Sequence, residues 1–180
     1  MCVIVAKYFP GIGWAGAKNR DRNYIPTLDF IEDTKHGVER IMMHDKVTGY
    51  KEGTNSKGVS ILNTSLDVYD DEAEIDAGTA TTSPDGRHIA EALMQKNVYD
   101  AARTIIKHKM GGCTMVFDQN TLILIEASDW DGFKPYKFIA REVPKDEVVA
   151  RTTPACVLTP ALSPIPRTLK YNRHLPALSA

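Results

Sequence analysis

The sequence predicts an α+β layered domain, and three observations carry that reading. β-branched runs broken by Gly- and Pro-containing turns fill the first third, two amphipathic stretches follow, and strongly apolar runs return before a Pro-rich tail. With 180 residues, 43% of them apolar, the chain has the length of about one domain and can bury a core without disulfides or metals. Residues 1–180 are therefore read as one domain.

Taken in order, Cys2 to Tyr8 (CVIVAKY) reads as a strand closed by the turn PGIG, and Trp14 to Arg20 (WAGAKNR) returns as the second arm of a hairpin. The small residues Ala15, Gly16 and Ala17 in that arm permit close approach of another layer. This pairing brings Lys18 to Asp21 near Cys2. Val38 to His44 and Tyr50 to Asn55 flank a DKVTG turn, and Val59 to Thr64 follows, so the first third is an antiparallel sheet. Residues 67–76 carry six acidic side chains in ten positions, and the acidic loop 67–78 reads as a solvated connection.

Ser83 and Pro84 read as an N-cap and first helical residue, with Ile89, Ala90, Leu93 and Met94 forming one apolar stripe. Asn97 caps a second helix whose stripe is Val98, Ala101, Ala102, Ile105 and Ile106; Lys107 to Lys109 place positive charge at its carboxyl end, and Gly111-Gly112 stop it. Cys113 to Asp118 and Leu122 to Glu126 form a hairpin apolar enough to be covered on both faces. Tyr136 to Ala140 and Val148 to Thr152 supply further strands, and the tail 154–180 is Pro-rich and extended.

Several function classes are disfavoured by composition. Twenty-two Lys and Arg against 23 Asp and Glu give a net charge of -1, without the basic field of a nucleic-acid or anionic-membrane binder. No apolar run approaches the ~20 residues that cross a bilayer, and no signal-peptide pattern opens the chain, so a cytoplasmic location is expected. Cys2, Cys113 and Cys156 have no CxxC spacing, and the five histidines form no zinc pair, so neither a metal nor another cofactor is expected. Cys113 and Cys156, in apolar company, read as small buried hydrophobes.

Cys2 differs because of its address. Aminopeptidases remove Met1 before a small residue, and an N-terminal cysteine then holds nucleophile and base in one residue. Its thiol, ordinarily titrating near pH 8.5, and its α-amine, ordinarily near 7.7–8.0, are matched for proton exchange at neutral pH. The amine takes the thiol proton, the thiolate attacks an amide carbonyl, and the ammonium returns the proton to the leaving amine. Asp21 can orient the ammonium, Lys18 or Arg20 can favour the thiolate, and an Asn-bearing strand edge can stabilise the oxyanion.

Cys2, the strand after it and the run Lys18-Asn19-Arg20-Asp21 resemble the N-terminal nucleophile hydrolases of the choloylglycine hydrolase, penicillin V acylase and acyl-coenzyme A:isopenicillin N acyltransferase group, whose early motif is Arg-Asn-x-Asp. Lys18 stands where that family has arginine, which keeps the charge and loses the planar fork. The stretch Gly53 to Ile61 (GTNSKGVSI) is similar to the family's strand entry, after which an asparagine lines the oxyanion hole; Asn63 is the candidate, with Ser65 as the alternative. Cys113 to Glu126 looks like the family's central apolar hairpin, and Arg151-Thr152-Thr153-Pro154 stands where the family has Thr-Asn-x-Pro, with Thr153 in place of the second oxyanion asparagine.

The resemblance spans residues 2–154 and implies a four-layer αββα sandwich of two mostly antiparallel sheets. It also implies an amidohydrolase cleaving a linear amide, with Cys2, Asp21, Lys18 and Asn63 catalytic and Arg20, Asn19, Ser65, Thr153 and Arg151 binding substrate. The partner expected is a small-molecule amide, with no nucleic acid or membrane, and self-association into a homo-oligomer stays open. Three other readings stand beside it: a class II glutamine amidotransferase-like domain; a member of the Asn-Arg-Asp-Glu signature family, with Arg22 at the last position; and a fold kept for binding or structure after the site decayed.

Overall fold

Alternation organises the N-terminal hairpin. In the computed structural model, which describes residues 2–20, 25–64, 86–108, 112–127 and 138–152, β1 (Val3–Phe9) buries Ile4 and Ala6 and exposes Val5 and Phe9. It pairs antiparallel with β2 (Gly13–Asn19) on one side and with β10 (Val149–Thr152) on the other, so β1 is the central strand of a three-stranded sheet.

The second sheet has seven antiparallel strands in chain order: β3 (Leu28–Lys35), β4 (Val38–Asp45), β5 (Lys51–Asn55), β6 (Ser60–Thr64), β7 (Gly112–Phe117), β8 (Leu122–Ala127) and β9 (Phe138–Glu142). Every residue of β7 and β8 is buried, as expected of strands covered on both faces. On one face Val116, Ile123 and Ile125 meet Ile89, Leu93, Ala101, Ala102 and Ile105 of two helices. On the other, Cys113, Met115, Leu122 and Leu124 meet Ile4, Ala6, Trp14 and Val149 of the smaller sheet. Gly16 allows that approach: a Cβ there would lie 2.9 Å from both Leu62 and Phe117. Ala15 and Ala17 point to the other side and are exposed. Among the described residues the order is helices, large sheet, small sheet, an α+β arrangement.

The helices are α1 (Arg87–Ala92) and α2 (Val98–Lys107). Asn97 caps α2 by accepting the Asp100 amide at 2.9 Å, and the stripe read from the sequence is its buried face. Gly86, in the left-handed region, precedes α1; Ser83 and Pro84 lie outside the described residues. So do Asp21, Ser65, Thr153, Cys156, the loop 67–78 and the tail 154–180. The strand expected over Tyr136 to Ala140 is described from Phe138 to Glu142, and β3 is a strand for which the sequence reading had no element. No helix among the described residues is long and apolar enough to cross a membrane.

Asn55 ties the sheet to α1. Its Nδ2 donates to the Leu93 and Gln95 carbonyls at 2.9 and 2.8 Å, while Oδ1 accepts the Lys57 and Val59 amides at 2.9 and 3.0 Å. The Gly53 to Ile61 stretch thus owes its asparagine to structure: one buried side chain satisfies two backbone donors and two carbonyls. Asn55→Ala would strip these partners in a buried place and is expected to cost about 3 kcal/mol. Urea denaturation would read this as a lower midpoint at unchanged slope.

Candidate functional site

The registers bring charged residues to one end of the space between the sheets. Ile4 lies opposite Lys18 on β2 and opposite Arg151 on β10. Continuing the β1–β2 register by one residue sets Cys2 opposite Arg20, and strand alternation puts Cys2 on the inward face with Ile4 and Ala6. Cys2, half-buried, therefore immediately precedes the central strand, with Arg20 across from it and Lys18 and Arg151 diagonal on its two sides.

Facing them, β5 and β6 part company. Gly53↔Ile61 and Thr54↔Ser60 are the two paired positions, and beyond Gly53 the strands diverge. The backbone of Asn63, which a continued ladder would have satisfied, is met by side chains instead. Lys18 Nζ and the Tyr50 hydroxyl reach its carbonyl, the latter at 2.9 Å, and its amide donates to Glu52 Oε1 at 3.4 Å. Lys18 Nζ also donates to Glu52 Oε1, with both side chains about 95% buried. Arg20 Nη2 lies 2.8 Å from Glu52 Oε2, yet no guanidinium nitrogen of Arg20 makes a hydrogen bond. Both cations sit over the Tyr50 ring, 4.7 Å (Lys18) and 4.6 Å (Arg20) from its centroid.

A second ion pair closes the neighbouring side. Arg151 Nε donates to Glu126 Oε1 at 2.7 Å, and Cys113 Sγ lies 4.0 Å from the same oxygen. Lys18, Arg20 and Arg151 thus stand against Glu52 and Glu126, so the described side chains leave one positive charge in excess. Burial lowers Lys18 below the ordinary lysine value; Glu52 opposes the shift, Arg20 adds to it, and a negative charge at Cys2 would oppose it.

The sequence-derived set divides accordingly. Cys2, Lys18, Arg20 and Arg151 converge. Asn19 falls on the exposed, outward face of β2. Asn63 is buried beside the cluster, but its side chain is engaged: Oδ1 is 2.6 Å from the Tyr50 hydroxyl, and Nδ2 donates to Thr114 Oγ1 at 2.6 Å. One of its two amide hydrogens is therefore committed away from Cys2. Asp21, Ser65 and Thr153 lie outside the described residues. Glu52, Tyr50 and Glu126 escaped the sequence reading. Their signal was a carboxylate at an inward position of a strand, as in LILIE, where burial demands a cationic partner.

Among the described residues no group of three or more His, Cys, Asp or Glu could hold a metal ion. A surface concavity of about 490 Å³, lined by Glu32, Glu39, Arg40, Ile41 and Thr54, lies on β3 to β5, apart from this cluster. Comparison of the chain with family models, curated proteins and solved structures finds no match.

The depressed Lys18 fixes a pH signature. Between its folded value and the unfolded 10.5, the unfolded chain binds more protons at this site, so Lys18 contributes stability that grows as pH rises through that window. Lys18→Arg stays charged throughout. Urea denaturation at a series of alkaline pH values should show wild type gaining on Lys18→Arg as pH climbs; a constant difference would contradict the assignment.

Proposed function

We propose that the protein is an N-terminal nucleophile amidohydrolase of the four-layer αββα type, cleaving a linear amide, either N-acyl or peptide-like, through Cys2 once Met1 is removed. The observation that supports this reading best is the address of Cys2: the inward position immediately before the central strand, at the charged end of the space between two sheets, with Arg20 opposite and Lys18 and Arg151 to either side.

The chemistry follows from that address. The α-amine takes the thiol proton, the sulfur attacks the carbonyl carbon, and the carbonyl electron pair moves to oxygen. The cations at Lys18, Arg20 and Arg151 favour a negative charge that develops there, because a site walled by two sheets screens it less than water does. Asp21, the residue that follows Arg20 in the sequence, is assigned to the α-ammonium. Collapse of the intermediate, with a proton delivered to the departing nitrogen, expels the amine and leaves a thioester that water cleaves.

A binding role on the same fold draws support from two residues. Asn63 spends its side chain on Tyr50 and Thr114, and Thr153 stands where the resemblance implies an oxyanion asparagine. Loss of one such donor commonly costs about 10²–10³ in rate.

Labelling separates the two. With a thiol-directed acylating probe at neutral pH, Cys2→Ala should abolish labelling while Cys113→Ala and Cys156→Ala leave it intact. Equal labelling of all three variants would remove the basis for an enzyme.

A further inference from the structure

Lys18 is the group in the cluster whose chemistry is not exhausted by its charge. Arg20 and Arg151 already supply fixed positive charge on the two sides of Cys2, and a guanidinium does not give up its proton at any working pH. An ammonium can. Lys18 Nζ has three N–H groups, of which two are held by the Glu52 carboxylate and the Asn63 carbonyl. That grip fixes the nitrogen and, among the described residues, leaves one N–H for transfer. Its inward, diagonal place relative to Cys2 corresponds to a separation of about 7–8 Å between backbones, which long side chains span.

We propose that Lys18 is a proton carrier in the reaction assigned to Cys2, giving a proton to the leaving nitrogen and recovering one from the attacking water. This rests on the amidohydrolase reading and divides its proton traffic between two amines. In acylation the Cys2 thiol proton passes to the α-amine, the S–C bond forms, and the C–N bond breaks as Lys18 Nζ protonates the departing nitrogen. In deacylation neutral Lys18 takes a proton from water as its oxygen bonds to the acyl carbon. The S–C bond then breaks, and the sulfur recovers its proton from the α-ammonium; the acid product ionises to solvent. Each amine ends as it began.

Among the described residues, the titratable and charged groups acting on Nζ are Cys2 just before β1, Arg20 just after β2, Tyr50 just before β5 and Glu52 on β5; the Glu126–Arg151 pair and Cys113 lie on the neighbouring side. Glu52 holds the proton on Nζ and burial opposes it, so the ammonium gives up its proton more readily than an exposed lysine.

The experiment uses the full-length, Met1-processed chain and p-nitrophenyl acetate, whose leaving group departs without a proton, so that Lys18 gives its proton to solvent before it accepts one from the deacylating water. Wild type should release p-nitrophenolate with turnover. Lys18→Arg and Lys18→Gln should keep a stoichiometric burst with acetyl on Cys2, seen by peptide mass spectrometry, while steady-state turnover falls by about 10²-fold or more. Turnover at the wild-type rate in Lys18→Arg would overturn the proposal, because fixed charge would then suffice. So would equal loss of burst and turnover in both variants when their thermal unfolding matches wild type. Failure of the underlying reading looks different: wild type and Cys2→Ala would then release p-nitrophenolate alike.

Discussion

A carboxylate buried where a β-ladder comes apart organises this end of the molecule. Glu52 sits at the point where β5 leaves β6, and it takes over work the backbone would otherwise do: it accepts the Asn63 amide and anchors Lys18 and Arg20 from the opposite sheet. Without it, two largely buried cations would stand over one aromatic ring with no anion among the described side chains to pair them, and removal of one partner from such a buried pair costs about 3–5 kcal/mol. The divergence is local. Gly53, whose Cβ would lie 2.1 Å from the Ile41 carbonyl, keeps β5 close against β4 while β6 turns away.

The same constraint explains why the cluster lies at an end of the interlayer space. Farther in, the two sheets meet through Ile4, Ala6, Trp14, Met115 and Leu124, with no room or solvation for charge. At the end, cations on the small sheet interleave with carboxylates on the large one: Lys18 and Arg20 with Glu52, Arg151 with Glu126. The excess positive charge of the described side chains and half-buried Cys2 lie together at this end. Rigidity comes from the far side, where α1 and α2 cover the large sheet and Asn55 pins its turn to the end of α1.

Local signals were legible. The Asn97 cap, the apolar stripe of α2, the hairpin of β7 and β8, and the inward alternation of β1 and β2 can all be read from a few adjacent residues, and each is present. β3 escaped because its pattern is inverted: Leu28 and Phe30 are exposed, and of its helix-side positions Asp29, Ile31 and Asp33 only Ile31 is apolar. The site was half legible. Cys2, Lys18 and Arg20 belong to one hairpin, so pairing alone gathers them. Glu52 is 34 residues from Lys18 and Glu126 is 25 from Arg151, and such partners are set by sheet packing that no local pattern encodes. Asn55 and Asn63 show the converse: an asparagine matching a functional pattern can be engaged structurally, Asn55 by backbone groups and Asn63 by the Tyr50 and Thr114 side chains.

The central claim is that sulfur and an unblocked backbone nitrogen of one residue lie together in an approachable, electropositive place. Reaction with 2-cyanobenzothiazole tests it directly, because this reagent forms a stable ring only with an adjacent amine and thiol. The folded protein should acquire one adduct, mapped to Cys2. A folded protein that stays unmodified while its urea-unfolded form reacts would mean a sealed terminus, and no reaction in either form would mean a blocked one; each contradicts the account.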